Sequence, residues 1–261
     1  MKQCLIIGGG LAGLTAASIL SSKNLSVTVI ESSPKLGGRT YSFKDTDTDS
    51  VIDNGQHIMM GCYKYTLSFL KLIGAENNFD YQENLFIKFI DRNRNQFQLN
   101  ASKTFYPLNL MEAILNYNVL NLSDKISFII FLLKLPLLSK NSLRKLTVRE
   151  WLEIENQNSE IIKSFWEILC VGALNTNLEK ASALIFYDVL MQIFFKGNFA
   201  TTIVLPKYGL SESIINPALL FIERNGGTIM PSESVKEIIV KNQKVVSIKS
   251  DKNIYDNFDY V

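Results

Sequence analysis

Histidine is nearly missing from this chain. One residue in 261, His57, excludes any site that needs two imidazole ligands. Cysteine is scarce as well: Cys4, Cys62 and Cys170 stand far apart and form no C-x-x-C. That spacing supplies neither a disulfide framework nor a thiolate zinc site, no metal centre is expected, and a reducing compartment suits the free thiols. An excess of one charge is also lacking, since 27 basic and 25 acidic side chains leave a net charge of +2. A nucleic-acid binder needs a concentrated basic face, so nucleic acid is excluded as a partner. No apolar run is long enough to cross a bilayer. The block Ile126 to Leu138 is broken by Lys134 and Pro136 and falls short of the roughly 20 residues a spanning helix requires. The apolar start up to Leu20 is interrupted by Gly8, Gly9, Gly10 and Gly13, which a signal peptide does not tolerate. A cytoplasmic protein, soluble or attached to the inner face of the membrane, is expected.

What is present describes a folded protein. The chain is 47% hydrophobic and 20% charged, and its length allows one large domain or two modest ones. Cys4 to Ile7 reads as a short, fully buried strand, Leu11 to Leu20 as a helix, and Ser26 to Glu31 as a β-branched strand. Strand, glycine turn, helix, strand is a βαβ unit and implies a parallel sheet. Tyr65 to Ile73 reads as a helix stopped by Gly74, and Phe86 to Leu99 as a hairpin with Asp91 to Asn95 at its tip. Leu108 to Leu138 and Val148 to Phe195 read as helical, with Ile161, Phe165, Leu169 and Ile162, Trp166, Cys170 at four-residue spacing. After Pro206 alternation resumes. Asn216 is expected to cap a helix with Pro217 at its first position, and Gly226-Gly227 to stop it. Val235 to Val240 and Lys244 to Lys249 read as a hairpin turning through Asn242-Gln243, and a further strand is expected from Phe258.

Gly8-Gly9-Gly10-Leu11-Ala12-Gly13 matches G-x-G-x-x-G. The first glycine allows the tight turn, Gly10 lets backbone approach a pyrophosphate, and Gly13 lets helix pack closely on strand. The phosphates would sit at the positive helix N-terminus, on the amides of Leu11 and Ala12 among others. Alone the pattern is weak. Here a strand precedes it, a helix follows, and Glu31 ends the next strand 18 residues beyond Gly13, where a carboxylate accepts hydrogen bonds from an adenosine ribose. A free acid there disfavours a 2′-phosphate, so NADP is the least suitable dinucleotide. Leu36-Gly37-Gly38-Arg39 can then bring amides and a guanidinium to a pyrophosphate or flavin edge.

Together with Glu31, these glycine segments resemble the FAD-dependent amine oxidase and phytoene desaturase superfamily. Within it, the chain resembles more closely the hydroxysqualene dehydroxylases, also called squalene-associated FAD-dependent desaturases. Asp53-Asn54-Gly55-Gln56-His57-Ile58, Gly61-Cys62-Tyr63, Thr66-Leu67, Phe165-Trp166-Glu167, Ala173 to Thr176, Ala181 to Ala183, Leu205 to Glu212 and Gly226-Gly227 carry that likeness. It implies an α/β fold, a Rossmann-type FAD-binding domain with a mainly helical substrate domain inserted. The parts would be residues 1–75, 76–204 and 205–261, the last of them incomplete because the family continues with a Gly-Asp segment not found here. The resemblance implies FAD as cofactor, held by Gly8, Gly10, Leu11, Ala12, Gly13, Glu31, Gly38, Arg39 and the backbone of Val235. It implies a hydrophobic isoprenoid substrate, and reductive removal of the hydroxyl of hydroxysqualene to give squalene for hopanoid biosynthesis. An oxidative carotenoid or phytoene desaturase is the rival enzyme, and an inactive fragment the rival outside enzymology.

His57 is the one side chain with an ordinary titration near neutrality, so it stands as candidate general acid for a leaving hydroxyl. A ring that only bonds the backbone or a flavin carbonyl is the other account of it. Asp53 reads as a turn-former or flavin-side acceptor. Asp188, alone in the apolar run Ala183 to Phe195, is either an acid facing a greasy pocket or a helix-face carboxylate near Lys196 or Lys180. The aromatic load, 16 Phe and 10 Tyr with Trp151 and Trp166 central, suits a channel for a C30 hydrocarbon and equally an ordinary core. Ile126 to Leu138 is either a buried helix or a surface dipping into a membrane, with Lys134 snorkelling.

Overall fold

The structure is a computed structural model and describes residues 1–55, 57–90 and 93–261. Gln56 of the Asp53 to Ile58 motif, and Asp91 and Arg92 at the expected hairpin tip, lie outside the described residues. The chain divides into two compact units. One comprises Met1–Ile58, Lys64–Asp80 and Leu205–Val261, the other Met59–Tyr63 and Tyr81–Val204.

The first unit opens with β1 (Gln3–Ile7), α1 (Leu11–Ser21) and β2 (Ser26–Ile30). β1 and β2 are parallel, with Gln3 opposite Ser26 and Ile7 opposite Ile30. Thr228–Met230 adds a third parallel strand on the far side of β2, Thr228 lying opposite Thr28. The Val-Thr-Val-Ile sequence of β2 suits this central position, and Val27, Val29 and Ile30 are buried on both faces. β1 departs from the fully buried strand expected of it. Cys4 and Leu5 are buried, but Ile7 is 42% exposed, because the strand end turns outward into the glycine loop. Tyr260 forms a parallel bridge to Cys4, and its carbonyl accepts the Leu5 amide at 2.9 Å.

A second, antiparallel sheet holds Val235–Lys241, Lys244–Ser250 and Ile254–Tyr255. Its hairpin turns on Asn242 and Gln243, both at positive φ as a type I′ turn demands. Leu5, Ile30 and Ile248 are buried together, with Val235, Val245, Tyr255 and Phe258 packed against them. The helix Asn216–Arg224 lies on α1, but Asn216 does not cap it. A π turn over Ser211–Ile215 runs straight into it, leaving Asn216 in the right-handed helical region at φ −58° and ψ −45°. Pro217, which has no N–H to give, is tolerated where the ladder is already shifted by that turn.

In the second unit, Phe86–Ile90 and Gln96–Asn100 pair as an antiparallel hairpin. The long helical stretches expected beyond it are broken. Leu108–Leu115 and Leu122–Lys134 are separate helices, parted where Asn121 leaves the helix to accept the Asp124 amide as an N-cap. Val148–Ile154 starts on a capping box of Thr147 and Glu150, and Asn158 caps the run from Ser159. Trp151, Trp166, Phe128, Phe131 and Phe186 are fully buried against one another. The Phe128 and Trp166 rings are 4.6 Å apart and those of Phe131 and Trp151 5.2 Å. These rings fill a core rather than line a channel. The Trp166 indole N–H is satisfied by the buried Gln157 side chain at 2.9 Å.

Candidate cofactor-binding site

The glycine loop is built by three backbone contacts. Gly8, at φ +103°, donates its amide to the Ile30 carbonyl at 2.8 Å, turning the chain sharply off β1. The Gly9 amide donates to Oε2 of Glu31 at 2.6 Å, and the Gly9 carbonyl accepts the Gly37 amide at 2.8 Å. The carboxylate expected to meet a ribose therefore also ties the loop to the end of β2. Its other oxygen accepts the Ser33 amide at 2.7 Å and the Ser32 hydroxyl at 3.1 Å. Burial alone would raise the Glu31 carboxyl, but the amides of Ser33 and Gly9 and the hydrogen bonds from Ser32 outweigh it and hold the group below its usual range.

Gly10 stands in extended backbone ahead of α1, and the first internal bond of the helix runs from the Leu14 amide to the Gly10 carbonyl. The amides of Leu11, Ala12 and Gly13 stay outside that ladder at the positive end of the helix. In front of them opens a cleft of about 950 Å³. Gly10, Leu11, Ala12, Gly38 and Arg39 line it, together with Thr15, Ile19, Tyr65 and Thr66. Gly8, Gly13 and Glu31 are not among its lining residues, and Glu31 reaches the loop through the Gly9 amide. Gly13 is where side-chain size is decided, because a Cβ there would lie 1.9 Å from the Gly8 carbonyl oxygen. At Gly10 a Cβ would meet nothing within 4 Å, so the space before it is open to a ligand. A free helix N-terminus, a turn that admits no side chain and an ionised Glu31 are what the adenosine diphosphate part of FAD requires, and these residues fit it.

His57 and Val235 lie outside the cleft lining. The His57 ring bonds the Gly55 carbonyl through Nδ1 at 2.9 Å, which makes Nδ1 the protonated nitrogen and leaves Nε2 for other partners. Val235 begins its strand opposite Ser250, two residues after Glu233, whose amide donates to the Glu31 carbonyl at 2.8 Å. Asp188 is a half-exposed carboxylate paired with Lys140 at 2.7 Å, not with Lys196 or Lys180.

Of two further carboxylates, Asp53 reads in the sequence as a turn-former or flavin-side acceptor and instead accepts from the protein itself, and Glu233 carries no sequence signal. Asp53 Oδ1 accepts the Ser42 hydroxyl at 2.7 Å and the Leu210 amide at 2.8 Å, clamping the Ser42–Lys44/Val51–Asp53 hairpin to the segment before the π turn. Glu233 is 1% exposed and accepts hydrogen bonds from Ser250, Asn253 and the Tyr255 hydroxyl. Burial pushes its carboxyl up, and the bonds from Ser250, Tyr255 and Asn253 bring it below the usual range. Burial and the bond to Glu233 push the Tyr255 hydroxyl up to about 12, so it remains a donor.

Residues 11–261 match the family described as flavin containing amine oxidoreductase, and the chain belongs to that family. Its class is that of the FAD-dependent oxidoreductases, on an α/β FAD-binding fold. The chain is similar to the hydroxysqualene dehydroxylase of Sinorhizobium fredii, 26% identical over 249 residues, which cover 94% of this chain and 56% of that protein. It is also similar to the zeta-carotene desaturase of Synechocystis sp., 24% identical over 248 residues, covering 90% and 50% of the two chains. The solved structure of an oxidoreductase from Methanosarcina mazei superposes with a TM-score of 0.73 at 20% identity, over 99% of this chain and 58% of that one. The chain thus spans little more than half the length of the curated relatives it matches.

Proposed function

We propose that this chain is the FAD-binding and substrate-facing part of an oxidoreductase that reductively removes the hydroxyl of hydroxysqualene to give squalene. The observation that carries the cofactor half is the cleft before α1, with Glu31 ionised beside it. The reaction half rests on the likeness to hydroxysqualene dehydroxylase across 94% of the chain.

In this reading the amides of Gly10, Leu11, Ala12 and Gly13 hold the pyrophosphate, Gly8 makes the turn that presents them, and Glu31 takes the ribose hydroxyls. Gly38 and Arg39 bind further along the cofactor, and the Val235 backbone meets the adenine. When bound here and reduced, FAD would supply the hydride. The overall balance is hydride and a proton in, water out. His57 is the candidate for handling the proton: its Nδ1–H bonds the Gly55 carbonyl, and Nε2 is outside that bond. The substrate is a hydrophobic isoprenoid, met in the cytoplasm at the inner face of the membrane. Among the described residues no helix is long and apolar enough to cross a membrane.

The likeness to zeta-carotene desaturase favours a second reading, desaturation in the oxidative direction. The first test is the visible spectrum of the purified chain after FAD is added and the excess removed. A retained flavin band with resolved structure is expected, and its absence overturns the cofactor reading for this chain. With flavin retained, squalene formed from hydroxysqualene under reducing conditions supports dehydroxylation. A polyene formed under oxidising conditions supports the desaturase reading instead.

A further inference from the structure

The helix Leu122–Lys134 carries an apolar face that the core of its unit does not use. Asp124, Phe128 and Phe131 are its buried residues. Leu122, Ile126, Ile130 and Leu133 point the other way and are 68, 48, 48 and 56% exposed. At about 100° per residue these four fall within an arc of about 80°, a single stripe along the helix. Lys125 and Lys134 fall on its two flanks, roughly 100° and 80° from its midline. The Lys125 ammonium donates to the Leu115 carbonyl at 2.7 Å, and Lys134 shares its charge with Glu155 at 3.1 Å. The helix's one acid, Asp124, is turned inward, where the Asn158 side chain bonds it. Beyond the helix, Leu137 prolongs the apolar surface at 85% exposure, and Lys140, Arg144 and Lys145 follow.

An apolar pocket of about 230 Å³ opens at the edge of the stripe, lined by Ile129, Leu132 and Leu133 with Leu110, Tyr106 and Phe194. The Tyr106 hydroxyl is already spent on the Phe194 carbonyl, so the lining offers a ligand little to hydrogen-bond. Pockets that take a whole small ligand are usually about 300 Å³ or more, so this one suits the end of a chain.

We propose that this face docks on an anionic lipid surface, the stripe entering the acyl layer and the pocket taking the end of one apolar chain. Long lysine stems lie along apolar surface and raise their ammonium groups to headgroup level, where anionic phosphates lie. Lys125 brings an unneutralised charge to one flank, while Lys134 on the other is shared with Glu155. An outward acid would be repelled there, and the helix has none. The inference deepens the proposed function, since an isoprenoid substrate partitions into lipid, but the surface is defined by this helix and not by the cofactor cleft.

Flotation of the purified chain with vesicles of phosphatidylcholine, with and without one part in three of phosphatidylglycerol, tests it. Binding to the anionic vesicles is expected at low salt, falling steeply as salt is raised. Ile130→Glu is expected to lower partitioning at least about tenfold, and Lys125→Gln about fivefold with a shallower salt dependence. Ile130 is exposed and Lys125 is half-buried with its ammonium on the Leu115 carbonyl, so the thermal unfolding of each variant is compared with the parent's before its binding is read. Equal binding by Ile130→Glu, or indifference to phosphatidylglycerol, overturns the proposal. So does a lipid-free dimer in sedimentation velocity that Ile130→Glu dissolves, because a second copy would then cover the stripe. Flavin retention read on the same samples keeps the two hypotheses apart: lipid binding lost with flavin retained refutes this inference alone.

Discussion

Gly13→Ala sets two well-measured effects against each other. Replacing a glycine by alanine inside a helix is favourable by roughly 0.5–1 kcal/mol, and Gly13 lies within α1. Against that, the new Cβ would lie 1.9 Å from the Gly8 carbonyl oxygen and 3.1 Å from its carbon. The obstacle is backbone, held by the Gly8 amide's bond to Ile30, so no side chain can swing aside. Helix and turn would have to part by about 1 Å, a distortion of the kind that costs roughly 1–3 kcal/mol or more in a packed interior. Sterics should therefore win, with a net loss of roughly 1–2 kcal/mol and a fall of about 2–8 °C in Tm. FAD should bind more weakly, because the amides of Leu11 and Ala12 would move with the helix. Gly172→Ala is the matched control. Gly172 sits in the helix Glu167–Leu174, a Cβ there meets nothing within 4 Å, and Tm should rise slightly. Circular dichroism melts and a flavin titration of the three proteins decide the matter. A Gly13→Ala protein as stable as its parent, with unchanged flavin affinity, would refute the close approach of α1 to the turn.

Two further predictions concern the carboxylates. Glu31→Gln turns an amide N–H₂ or a weaker acceptor toward two backbone donors and should cost on the order of 1–3 kcal/mol at neutral pH. Because the Glu31 carboxyl lies below its ordinary 4.5 in the folded chain, its contribution is complete above that pH and is lost as pH falls through the folded value. The stability difference between parent and variant should shrink as pH falls below the ordinary carboxylate range, and a constant difference across the acid limb would count against the hydrogen bonds described. Asp53→Ala leaves the amide of the buried Leu210 without its acceptor and should lower stability by roughly 1–3 kcal/mol. A melt indistinguishable from the parent's would show that the clamp is not formed in solution.

How much of this was legible depended on the distance over which each feature is specified. The strand-turn-helix-strand start is local, and its glycine and β-branched spacings define it without help from the rest of the chain. The same holds for the Asn242-Gln243 hairpin, whose turn residues accept positive φ. Asn216 misled because asparagine before proline has the chemistry of a helix start, while the π turn before it is set by how Leu210 and Ser211 meet Asp53 and Ser42. Asp53 lies 157 residues from Leu210, and no periodicity connects them. The helical stretches were recognised but not their breaks, since Asn121 and Asn158 reveal themselves as caps only where the chain bends. Nothing local to Glu233, between Ser232 and Ser234, marks it as buried. Its burial follows from donors brought round by the strand pairing of Ser250 and Tyr255.

The parallel sheet also orders events in time. β2 is flanked by Thr228–Met230, about 200 residues further on, and β1 receives Tyr260 later still. A ribosome adding about 5–20 residues each second needs roughly 10–40 s to travel from one partner to the other. The helical unit, whose contacts are more local, is translated in that interval and can condense while the opening strands wait with bare edges. The glycine loop is thus among the first parts of the chain to leave the ribosome and among the last to be fixed in place.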